Sequence, residues 1–188
     1  NPHLLQALAQ PVLAHGRWAI QSQVTLDNTH PFVDQEGVRC ACVNGQFSSE
    51  VENRVRHFLT RVAGVRLRSE NSTEYFVQLW GLYAKVFSRE KSRYEAIRQQ
   101  VALGLEDLAV GSQAIDHQVY KRLNGASKED IEELAFAQAM RVMIQDGGQV
   151  AVAGMSLVSP QRIFAASHNR PVFVAHRPET DEFMLVSD

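Results

Sequence analysis

The chain has 188 residues, 45% of them hydrophobic and 21% charged, enough for one globular domain with a sizeable core and too few for two. A formal net charge of −2 leaves no basic footprint for nucleic acid or an anionic membrane surface, so a small neutral or zwitterionic ligand is the expected partner. No apolar run approaches a membrane span, and the first residues lack the sections of a signal peptide, so the chain reads as cytoplasmic.

In chain order, Val12 to His15 and Val38 to Val43 are short apolar or β-branched runs bounded by Pro, Gly and Asn, which predicts strands. Cys40 and Cys42 would share one face of the second, where they make a poor disulfide with each other and read as reduced core thiols. Between the two strands, residues 22 to 37 are polar and turn-rich, a loop suited to covering a pocket. Val51, Val55, Phe58, Leu59 and Val62 recur at helical spacing, which predicts a helix over about 49–63 that stops at Gly64.

A second helix is expected from Thr73 to Phe87, with Phe76, Leu79, Trp80, Tyr83 and Phe87 on its apolar stripe, and a third over 92–110 burying Ile97, Val101, Leu105 and Leu108. Ser127 and Asp130 form a capping-box-like start to a fourth, which carries Ile131, Leu134, Ala135 and Met143 and stops at Gly147-Gly148. From Gln149 the period becomes strand-like. Apolar runs at 149–158, 161–167, 171–176 and 182–186, separated by turn residues, predict an antiparallel meander. Strands, then helices, then strands point to an α+β layered sandwich rather than a doubly wound parallel sheet.

Several residues could carry chemistry. Arg17, in the turn after a strand, could grip a carboxylate in two parallel charge-assisted bonds, or serve as a surface ion-pair partner. Trp18 beside it could cover a ligand or simply pack. Asn44-Gly45 fits a type I′ hairpin turn, but an Asn amide and a Gly N–H aimed at one spot would also stabilise an oxyanion. Asp116, His117, Tyr120 and the acidic run Glu129-Asp130, Glu132-Glu133 read as solvated helix faces. The histidines lack a ligand spacing on any predicted helix, so neither a metal nor another cofactor is expected.

Taken in order, five segments resemble the class II glutamine amidotransferase domain, an N-terminal-nucleophile (Ntn) hydrolase fold, most closely the form at the front of glucosamine-6-phosphate synthases. Gly16-Arg17-Trp18-Ala19 is similar to that family's R-W-A segment, Asn28-Thr29-His30-Pro31 to its N-A-H-P, and Val43-Asn44-Gly45 to its H-N-G. Ser69-Glu70-Asn71-Ser72-Thr73-Glu74 is similar to its S-E-T-D-T-E, and Ile163 to Asp188 to its closing strands, which end in A-S-D.

The resemblance implies a four-layer αββα sandwich of antiparallel sheets with an extra helical insertion at about 88–145, spanning 1–188 as a single domain. It also implies a glutaminase half-reaction, in which an N-terminal Cys thiolate attacks the glutamine side-chain amide and releases ammonia. Arg17 would hold the α-carboxylate, Trp18 would shield the pocket, and Asn44 and Gly45 would form the oxyanion hole. Departures from the family are specific. Ile20 and Gln21 replace its Thr and His beside the carboxylate, and Ser72 replaces the Asp that pairs with the α-ammonium, a loss that Glu70 or Glu74 could offset.

Asn1-Pro2 offers no nucleophile, so the chain is expected to be a fragment whose nucleophilic Cys lies upstream. Glutamine or a related small amino acid is the expected ligand, and a sugar-phosphate isomerase module downstream the expected partner. The helical insertion would offer a docking surface for that module or for a second copy in a homodimer. The alternative is a catalytically inactive amidotransferase-like binding or regulatory module.

Overall fold

The computed structural model describes residues 11–16, 25–88, 122 and 125–187. The expected helix over 92–110, and Asp116, His117 and Tyr120, lie outside them. The fold is mixed α+β with two antiparallel sheets. One sheet has the order β1-β2-β3-β4, built from Phe32–Val33, Arg39–Phe47, Gly148–Ser156 and Ile163–His168. The other is a ribbon of β5 (Phe173–Arg177) and β6 (Glu182–Val186). The meander expected from Gln149 onward is therefore broken: β3 pairs with β4 and β5 with β6, but β4 and β5 do not pair. Residues 11–16 form no strand, against the expectation for Val12 to His15.

The three α-helices among the described residues are each started by a local polar device. Helix α1 (Ser49–His57) begins at Ser48, whose hydroxyl accepts from the Val51 N–H, and carries Glu50 and Glu52 in its first turn and basic residues in its last. It runs directly into a π-helical turn, Phe58–Val62. Phe58 and Leu59 stay buried, but the wider turn shifts the phase, and Val62, expected on the apolar stripe, is 56% exposed. Helix α2 (Ser72–Ser88) is started by the Asn71 side chain, which accepts from the Thr73 N–H at 2.9 Å. Helix α3 (Lys128–Met143) has the full Ser127–Asp130 capping box that its sequence predicts.

The register explains why the main sheet has one buried face. Ala41, Val43, Val150, Val152, Gly154, Phe164 and Ala166 lie on one side of the pleat, and α2 and α3 cover it. Trp80 of α2 meets Phe136 of α3 and Phe164 of β4 edge-on at 5.1 and 5.3 Å, and its indole N–H donates to the Glu132 carbonyl. Truncating a ring this buried costs about 3–5 kcal/mol.

Two expectations for the 88–145 segment change. Helix α3 is not an added surface element, because Leu134, Ala135, Phe136, Ala139, Met140, Val142 and Met143 all enter the common core. Nor is Glu132 solvated: it is 2% exposed and ion-paired with Arg39 of β2. Arg39 also reaches Asp34 at 3.0 Å. Burial works against the Arg39 charge, but the two carboxylates outweigh it and hold its pKa above the ordinary value.

Candidate functional site

Asn44 and Gly45 do not form a hairpin turn. Strand β2 continues through them to Phe47, paired along its whole length with β3, Asn44 opposite Ala151 and Gly45 opposite Val150. Gly45 has φ +110°, and a Cβ there would run into the Gln149 carbonyl oxygen, so the chain requires glycine at this point.

Alternation along β2 puts Cys40, Cys42 and Asn44 on the face opposite the helices. Over this face comes the end of the ribbon: the Asn44 amide donates to the Ser187 hydroxyl at 3.1 Å, one residue beyond β6. A fixed amide donor is what oxyanion stabilisation requires.

At the edge of β2 lies a group that sequence spacing could not reveal. Strand β1 is only two residues long, so among the described residues β2 beyond Ala41 has no strand partner on that side. The His30 ring fills the gap, its Nδ1 facing the Val43 N–H at 3.4 Å and its Nε2 facing the Thr73 hydroxyl at 3.3 Å. His15 lies against it with ring centroids 4.5 Å apart, and Phe32 packs edge-on at 5.1 Å. Donor atoms of His15, His30 and Cys42 lie within 4.8 Å of one another. His30 and Cys42 are buried and His15 is half-buried. Burial, and then the neighbouring Cys40, push the Cys42 thiol up to about 12, while burial raises Cys40 as well. Both are free thiols, as their spacing predicts.

Ser72 opens α2, next to the Thr73 that touches His30, and its hydroxyl works to lower the pKa of Glu52 on α1, against the burial that raises it. Glu74 is consumed by the Arg68 and Ser69 N–H groups and the Ser69 hydroxyl, and Glu70 is exposed beside Arg56. Arg17, Trp18 and Gln21 lie outside the described residues. A groove of about 670 Å³ between α3 and β4, lined by Phe136, Met140, Ile144 and Arg162, contains none of the candidate site residues named above.

No protein-family model matches the chain, and no curated protein matches it in sequence. No helix among the described residues is long and apolar enough to cross a membrane.

Proposed function

We propose that this chain is the amino-acid-binding body of a class II glutamine amidotransferase, resembling that of glucosamine-6-phosphate synthases and folded as a four-layer αββα sandwich. The observation that carries the reading is the meeting of motif segments distant in sequence. His15, just before Gly16-Arg17, packs at a tilt against His30; His30 reaches Thr73; and Asn44, beside the Val43 that His30 contacts, reaches Ser187. The layering supports it too, with helices on one face of the main sheet and the end of the ribbon on the other. Phe173, Val174, Phe183 and Met184 are exposed on that ribbon, as expected of strands belonging to a larger second sheet.

In this reading Arg17 grips the glutamine α-carboxylate and Trp18 covers it. A Cys thiolate supplied upstream of Asn1 adds to the side-chain carbonyl carbon. Asn44 and Gly45 hold the resulting oxyanion, the α-amine of that Cys passes the proton it took from the thiol to the departing nitrogen as the C–N bond breaks and ammonia leaves, and water hydrolyses the thioester to glutamate and the free thiol. The ammonia passes to an isomerase module in the same cytoplasmic enzyme. The test is L-glutamine titrated calorimetrically into the chain and ammonia release from the protein carrying the upstream Cys. Saturable binding, weakened in Arg17→Lys because a point charge cannot replace the planar fork, and measurable release are expected. Absence of both would overturn the proposal.

A second reading, an inactive binding or regulatory module, draws on Ser72. Where the family has an Asp for the α-ammonium, this chain has a neutral hydroxyl. Glutamine binding without ammonia release, with the upstream Cys present, selects this reading.

A further inference from the structure

We propose that His15, His30 and Cys42 form a binding site for a transition-metal ion of borderline softness, Zn²⁺ first, with a fourth coordination position open. Two imidazoles and a thiolate are the donor set such ions select, the Cys42 proton leaving to solvent as the metal–sulfur bond forms, and three protein ligands are the number found where a fourth position is left for water or a bound group. The three come from separate segments: the irregular stretch 11–16, the turn before β1, and the middle of β2. Their donor atoms already lie within 4.8 Å of one another. Tetrahedral Zn–N and Zn–S bonds place donors roughly 3.3–3.6 Å apart, so closure needs side-chain shifts of about 1 Å and no change in the strand.

The surroundings of His30 supply the outer support that metal-bound histidines use. With Nε2 protonated and donating to the Thr73 hydroxyl at 3.3 Å, Nδ1 carries the lone pair. Its present neighbour there, the Val43 N–H at 3.4 Å, is a long contact that a cation outcompetes. Phe32 packs against the edge of the ring and shelters this side. Cys42 lies two residues from Asn44 on the same face of β2, so the fourth position opens toward the side the ribbon approaches. The site stands independently of the glutaminase reading, since none of its three ligands is assigned a role in that reaction.

Anaerobic titration of the full chain with Co²⁺, followed by displacement with Zn²⁺, tests this directly. Expected are one equivalent bound, a thiolate-to-cobalt charge-transfer band in the near ultraviolet, and visible bands of tetrahedral intensity. The charge-transfer band should vanish in Cys42→Ser and persist in Cys40→Ser. Thr73→Val, which removes only the outer partner of His30, should weaken Co²⁺ binding about 10- to 100-fold. A parent chain that shows no charge-transfer band overturns the proposal, whatever the folding of the variants. So does a band that survives Cys42→Ser or disappears in Cys40→Ser.

Discussion

Arg39 on β2 and Glu132 on α3, ninety-three residues apart, meet in a two-pronged ion pair whose side chains are 7% and 3% exposed. The pair ties the central sheet to the helix layer, with Asp34 as a second carboxylate on the same guanidinium. Removing the cation leaves two buried carboxylates facing each other. Arg39→Met should therefore cost about 3–5 kcal/mol in urea unfolding, and the double variant Arg39→Met/Glu132→Leu should recover part of that loss. Equal stability of the parent and Arg39→Met would show that the pair contributes nothing to the docking of α3.

Gly45 and Gly37 both have positive φ, +110° and +71°, but only Gly45 faces backbone across the ladder. A methyl at Gly37 meets nothing within 4 Å, whereas at Gly45 it collides with the Gln149 carbonyl. Gly45→Ala should thus destabilise by about 1–3 kcal/mol more than Gly37→Ala in paired thermal melts. Matching melting temperatures would mean that β2 and β3 part locally at no cost. The comparison also warns against using Gly45→Ala as a test of oxyanion chemistry, since it disturbs the strand itself.

Much of the helical framework was legible in the sequence because its signals are local. The stripe Phe76, Leu79, Trp80, Tyr83 and Phe87 gave α2 almost to its ends, and Ser127 with Asp130 gave the start of α3. The misreadings concern partners remote in sequence. Glu132 looked solvated because its partner Arg39 lies on a strand far upstream, and Asn44-Gly45 looked like a turn because the β3 strand that pairs with it comes a hundred residues later. The His15, His30 and Cys42 group has no periodicity to detect, since its members sit on a loop, a turn and a strand. The break between β4 and β5 was hidden for a related reason: alternation marks a strand without naming its neighbour.

The Asn44–Ser187 hydrogen bond makes a prediction about how the two act together. If the Asn44 amide serves the oxyanion, Asn44→Ala should lower the rate of ammonia release about 10²-fold in the protein that carries the upstream Cys. Ser187 acts only by fixing that amide, so Ser187→Ala should cost less, and the double variant should be no slower than Asn44→Ala alone. Effects that instead multiply would show that Ser187 works independently of Asn44.

Glu52 gives the fold a pH dependence whose sign follows from its surroundings. Partial burial raises its pKa, and the Ser72 hydrogen bond offsets this only in part, so the folded state favours the protonated acid more than the unfolded chain does. Its contribution is therefore fully present below the unfolded value of about 4.3 and is lost as pH rises through the higher folded value. At pH 7 the ionised Glu52 is a net cost. Glu52→Gln, which keeps a group able to bond Ser72 but carries no charge, should melt at a higher temperature than the parent at pH 7. The difference should close as the pH is lowered to about 4. Melting curves of the two proteins from pH 4 to 7 check this, and a gap that widens toward low pH would mean that Glu52 is stabilised as its carboxylate.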